Sequence, residues 1–133
     1  MTAGAAASPR VRLCRAYDPP GEADGYRVLV DRVWPRGVSR DHLKLAEWNR
    51  VIAPSSELRR WYGHRRELWD EFRERYRTEL SASPQRAAIE QLIERARAGH
   101  LTLVAGARDV EHSQGEVLRE LIEEALGAAR LSE

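Results

Sequence analysis

Two short apolar runs, residues 28–30 and 101–105, are separated by about seventy residues in which apolar side chains recur at helical spacing. No other feature constrains the fold of this chain so tightly. A helix-filled connection of that length crosses over a sheet and returns to set its two strands parallel, whereas antiparallel neighbours need only a tight turn. The expectation is an α/β chain in which the ends of these strands, Asp31-Arg32 and residues 106–109, share one edge. Ligands of α/β proteins gather at that edge.

The remaining segments fit around this frame. Val11, Leu13 and Tyr17 alternate with Arg12 and Ala16 as a partly buried strand does. Asp18-Pro19-Pro20-Gly21 stops it, because proline removes a donor and glycine admits positive φ. Residues 26–30 are dense enough in apolar side chains for an interior strand covered on both faces. The link between these two strands, 18–26, is short for a crossover, which usually takes ~10–12 residues. The place of the first strand in the sheet is therefore open.

Helix signals follow. Ser39 caps a short helix from Arg40 to about Ala46, and Pro54-Ser55-Ser56 opens one bearing Leu58, Trp61 and Tyr62. Leu68, Trp69, Phe72, Tyr76 and Leu80 form the stripe of the next, with Glu71 and Arg75 paired one turn apart. Ser83-Pro84 starts another, with Ser83 as cap, Pro84 at the first helical position and Gly99 at the end. Ser113-x-x-Glu116 reads as a capping box for a last helix that ends near Gly127.

A chain of 133 residues is one domain's worth, here 10–127, between a small polar lead (1–9) expected to be disordered and a short tail (128–133). No run approaches the ~20 apolar residues that span a bilayer, so no membrane partner is expected. The single Cys14 cannot form an internal disulfide, which fits a reducing cytoplasm, and on a strand it reads as a buried, inert thiol. Net charge is +1 but unevenly placed, +6 over residues 1–66 and −5 over 67–133. That asymmetry suits either an anionic partner for the first half or the packing of one half on the other.

With the segments laid out, a resemblance emerges. Asp18-Pro19-Pro20, then Asp24-Gly25-Tyr26-Arg27-Val28-Leu29-Val30-Asp31-Arg32-Val33-Trp34-Pro35-Arg36-Gly37, strongly resembles the YeaO-like branch of the domain-of-unknown-function 488 (DUF488) family. So do Ala53-Pro54-Ser55-x-Glu57-Leu58-Arg59-x-Trp61, His64, Trp69, Phe72 and Tyr76. The likeness implies a small, Rossmann-like α/β sandwich with a short, mainly parallel sheet. It implies no activity, because the family is itself uncharacterised. Other branches carry a Cys-His-Arg triplet after the last strand. Here that stretch reads Glu111-His112-Ser113, so no role built on the cysteine carries over.

Two constellations carry chemistry. In the first, Asp31 directly follows a buried run and must meet a cation, a metal or an open cleft. Arg32 and Arg36 offer forked donors for phosphate or carboxylate, and Trp34 offers a flat face for stacking. The structural alternative pairs Asp31 with Arg27 or Arg36 and puts Trp34 in the core. In the second, Gly106, Arg108 and Asp109 sit at a strand-to-helix junction whose free N–H groups suit an anion. His112 at the same junction is the candidate acid, base or phosphate donor. The histidines lack a zinc spacing, and no metal is assigned. The aromatic set from Trp48 to Tyr76, interleaved with arginines, has helical spacing and many intervening acids, so it reads as packed core rather than a nucleic-acid surface.

These features favour a small anionic ligand, nucleotide- or phosphate-like, held by Arg32, Arg36 and Arg108, oriented through Asp31 and Asp109, and stacked on Trp34. One alternative is a hydrolase or transferase on a phosphorylated or nucleotide substrate, with Asp31 or His112 as the active group. Another is a nucleic-acid-binding module using the basic first half. The sequence implies no particular cofactor.

Overall fold

A computed structural model describes residues 11–131, with side chains through 127. The expected lead at 1–9 lies outside the described residues, as do residues 132–133 and the side chains of 128–131 of the expected tail. Strands β1 (Val11–Arg15), β2 (Tyr26–Leu29), β3 (Glu47–Trp48) and β4 (Leu101–Ala105) form one sheet. Its helices are α1 (Arg40–Leu43), α2 (Ser56–Tyr62), α3 (Trp69–Leu80), α4 (Gln85–Ala98) and α5 (Gln114–Leu131). Single 3-10 turns at Arg66–Leu68 and Val110–His112 lead into α3 and α5. The strand order is β1-β4-β2-β3 and every pairing is parallel. The chain is a small α/β domain. No helix among the described residues is long and apolar enough to cross a membrane.

The short link that left β1 unplaced is explained by this order. β1 and β2 do not pair with each other but flank β4, with Val11 and Tyr26 both in register with Leu101. All five residues of β4 are buried. Each fully buried Leu or Val there contributes about 1.5–3 kcal/mol relative to exposure. The turn into β2 needs Gly25, whose φ is +67° and where a Cβ would lie 2.4 Å from the His100 carbonyl oxygen.

Side chains alternate across the sheet with the strand period. Val11, Val28, Leu101, Leu103 and Ala105 face a core built with Leu58, Tyr62, Phe72, Tyr76, Leu92, Val117, Leu118 and Ile122 from α2–α5. Leu29 and Val104 face the other way, into a smaller cluster with Leu43 of α1, Trp34 and Trp48. The two neighbouring strands β2 and β4 thus send their chains to opposite faces, β2 toward α1 and β4 toward α5. Such a reversal opens a crevice at the carboxyl ends of the strands.

Local chemistry differs from the sequence reading at four points. Ser39 caps α1 by accepting from His42 N–H, but the helix ends at Leu43, with Lys44 in the left-handed region, rather than near Ala46. Pro84, not Ser83, sits at the start of α4, and no side chain caps it. Ser113 Oγ accepts from Gly115 N–H at 3.2 Å, but Glu116 turns to Arg119 instead of closing a capping box. Finally, α5 runs past Gly127 to Leu131.

Candidate ligand-binding site

The crevice begins with Asp31, two residues beyond β2. Its backbone oxygen accepts from Trp48 Nε1 at 2.7 Å, which fixes the chain where it leaves the sheet. Its carboxylate points across to the end of β4, where Gly106 N–H donates to Oδ2 at 2.8 Å. Gln114, at the first turn of α5, donates from Nε2 to Oδ1 at 2.7 Å. Glycine at 106 is what lets the carboxylate come so close: a Cβ there would stand 2.5 Å from Asp31 Oδ2. Asp31 pairs with neither Arg27 nor Arg36. Arg27 is buried on the other face, bound to Asp24 at 2.6 Å and to the Leu43 carbonyl at 2.8 Å.

Burial pushes the Asp31 carboxyl up to about 6, against the pull of the Gly106 N–H, the Gln114 amide and the positive charge of Arg59. The group is a carboxylate at neutral pH, and a hydrogen-bond donor once protonated in mild acid.

A cavity of about 230 Å³ opens above it, with Arg32, Val33, Pro35, Ala53, Pro54, Arg59, Tyr62, His64, Phe72 and Ala107 among its walls. The segment carrying Pro54 and α2 is anchored from three sides. Arg32 Nη2 donates to the Pro54 carbonyl at 3.2 Å, and Tyr76 donates to the Ile52 carbonyl at 2.5 Å. Ser55 grips both oxygens of Glu79 while its Oγ accepts from Leu58 N–H as the cap of α2. These anchors hold Arg59 on the rim, exposed, with no hydrogen bond, ion pair or ring contact to its guanidinium among the described residues. Arg32 Nε is buried and likewise without a hydrogen-bond partner. Beneath, Tyr62 stacks on Phe72 with centroids 4.3 Å apart and donates to the His112 carbonyl at 2.7 Å.

Of the residues singled out in the sequence, Asp31, Arg32 and Gly106 line this cavity. The others go elsewhere. Trp34 is no stacking platform: its Nε1 donates to the Val38 carbonyl at 2.6 Å, and its ring meets Trp48 edge-on in the smaller core cluster. Arg36 and Arg108 line a separate hollow with Arg15 and Tyr17. Asp109 turns to Arg66 at 2.8 Å and to His112 Nδ1 at 3.0 Å, and the His112 contact foremost holds its carboxyl below the usual range. His112 lies edge-on to Trp69 and lines a groove beside β1, so it does not face Asp31 across the cavity. Among the described residues no three His, Cys, Asp or Glu side chains are grouped to hold a metal ion.

Sequence reasoning missed Arg59, Gln114, His64 and Tyr62 as cavity residues. Arg59 and His64 stand inside the family-like stretches, which was the available signal; Gln114 is 83 residues from Asp31 and carried none.

A family model described as the inactive DUF488-N3 subclade matches residues 10–132. An uncharacterised protein of Mycobacterium tuberculosis strain H37Rv, Rv3073c, is 42% identical over 113 residues, covering 85% of this chain and 93% of its own length. The uncharacterised protein YeaO of Escherichia coli K12 is 39% identical over 108 residues, 81% of this chain and 92% of that one. No solved structure gives a significant match.

Proposed function

This chain belongs to the DUF488 family, in its YeaO-like branch, and from that premise we propose that it binds a small anionic ligand in the crevice between β2 and β4 without transforming it. The observation that carries the reading is the Asp31 carboxyl, held by Gly106 and Gln114 on the cavity wall with no cation in contact, while Arg59 on the same rim makes no hydrogen bond or ion pair. A half-buried carboxylate left without an ion pair weakens a fold, and such groups concentrate where a ligand supplies the missing partner. Arg59 and Arg32 take the anionic group, Asp31 takes a donor on the ligand, and Pro35, Pro54 and Phe72 cover its apolar part.

A volume of about 230 Å³ falls below the ~300–1,000 Å³ usual for drug-sized ligands. The occupant is therefore a small metabolite, or the charged end of a nucleotide rather than the whole of one. The description of the matching subclade as inactive supports binding over turnover, as does the placement of Asp31 and His112 in different hollows. The free thiol of Cys14 supports a reducing cytoplasm as its setting.

Thermal shift against nucleotides, sugar phosphates and small carboxylates tests the reading. A ligand at a hundredfold its Kd adds about 2.7 kcal/mol, which for a domain of this size raises Tm by roughly 10 °C. The shift is expected to shrink in Arg59→Ala, whose apo Tm stays near wild type because Arg59 is exposed. No stabilisation by any member of the panel, or shifts that all stay unchanged in Arg59→Ala, overturns it.

A further inference from the structure

Three arginines from separate segments meet outside the cavity. Arg15 ends β1, Arg36 lies in the loop before α1, Arg108 follows β4, and with Tyr17 they line one open hollow of about 550 Å³. No residue lines both this hollow and the cavity, although Pro35 and Ala107, the neighbours of Arg36 and Arg108, line the latter. The same two loops thus present apolar or small residues to one side and guanidinium groups to the other.

Two of the three charges here are not neutralised. Arg15 lies 3.3 Å from Asp18, but the side chains of Arg36 and Arg108 make no hydrogen bond, ion pair or ring contact among the described residues. Several arginines elsewhere are occupied: Arg73 and Arg77 on Glu120 and Glu124, Arg119 on Glu116 and Glu123, and Arg40, Arg50 and Arg95 over aromatic rings. Gathering like charges in a concavity is unfavourable in itself and raises the local concentration of counter-anions. The two unpaired forks alone present more donors than one carboxylate has lone pairs to accept, whereas a phosphoryl group or pyrophosphate has enough oxygens. Tyr17, 43% exposed, adds a hydroxyl and a ring face at the margin.

We propose that Arg15, Arg36 and Arg108 form a second site, for a compact and multiply charged phosphate such as pyrophosphate or a phosphomonoester dianion. Arg36 and Arg108 supply the forked bonds, and Arg15 adds charge while keeping Asp18 within reach. The site is independent of the cavity reading, and the residues that test it are not those that test the cavity.

The experiment is calorimetric titration of the full chain with pyrophosphate at low ionic strength, beside anisotropy with a ten-residue oligothymidylate. Wild type is expected to bind pyrophosphate. Arg36→Ala and Arg108→Ala each weaken it roughly tenfold or more, the loss of one charged hydrogen-bonding group. Arg108→Lys recovers part of the loss and Arg59→Ala changes nothing. Both arginines are exposed, and circular dichroism verifies that the alanine variants keep the fold. Absence of pyrophosphate binding at millimolar concentration, binding unchanged in both alanine variants, or binding lost in Arg59→Ala overturns the proposal. So does binding of the oligonucleotide alone, which assigns the hollow to a nucleic-acid backbone instead.

Discussion

Replacing Asp31 by asparagine separates the charge of the cavity carboxyl from its hydrogen bonds. The amide keeps an oxygen for Gly106 N–H, and its NH₂ faces Gln114, whose own amide turns over to accept. What disappears is ionisation. In the folded protein the Asp31 carboxyl titrates at about 6 rather than at the ordinary 3.8, so between those values the native state holds a proton that the unfolded chain has released. Stability therefore falls as pH rises through this window, because the unfolded state binds fewer protons there. At 1.36 kcal/mol per pH unit the full effect is about 3 kcal/mol, of which about 2.5 develops between pH 4 and pH 7. The other carboxylates titrate in both proteins and cancel in the difference. Urea unfolding followed by tryptophan fluorescence at pH 4, 5, 6 and 7 measures it. Asp31→Asn is expected to gain about 2.5 kcal/mol on wild type across the series, with an unchanged denaturant slope. A difference that stays constant, or moves the other way, refutes the view that this carboxyl is buried without a counter-ion.

Three further substitutions probe two supports of the site and the buried ion pair on the other face of the sheet. Gly106→Ala places a methyl 2.5 Å from Asp31 Oδ2, so the carboxylate must move; a loss of about 1–3 kcal/mol in urea unfolding is expected, together with loss of any ligand-induced thermal shift. Tyr76→Phe removes the buried hydroxyl that donates to the Ile52 carbonyl, and its cost, read from the same unfolding curves, is about 1–2 kcal/mol. Asp24→Ala strands the buried Arg27 guanidinium and lowers stability by about 3–5 kcal/mol, whereas a solvated pair would lose under 1 kcal/mol.

β3, only Glu47–Trp48, carries no such signal, but three of the four strands were readable as apolar runs cut off by proline, glycine and charge, with seventy intervening residues forcing a crossover. The position of β1 was not. Its short link excludes a neighbouring crossover but does not reveal that β4, arriving ninety residues later, inserts between β1 and β2. In the site, Asp31 was conspicuous as a carboxyl at the end of a buried run, and Gly106 as a residue permitting close approach. The approach is made by Asp31 itself. The expected convergence of the doublets at 31–32 and 108–109 does not occur: Asp31 and Arg32 line the cavity and neither Arg108 nor Asp109 does. Gly106 and Ala107 complete the cavity wall, and the chain then turns into Val110–His112, carrying Arg108 to one side and Asp109 to Arg66. In the sequence Arg59 is one of the arginines interleaved with the aromatic set. Only the anchoring of α2 by Glu79, Arg32 and Tyr76 brings it over Asp31, and those contacts span more than twenty residues each.

The central claim is that a small anion settles over the Asp31 carboxyl between the ends of β2 and β4. Amide chemical shifts recorded by ¹⁵N–¹H NMR during titration with members of the nucleotide and sugar-phosphate panel address it directly. Saturable displacement of the Gly106 backbone amide and the Gln114 side-chain amide, the two groups that hold Asp31, is expected, together with its disappearance in Arg59→Ala. Titrations in which every such compound leaves both resonances in place contradict it.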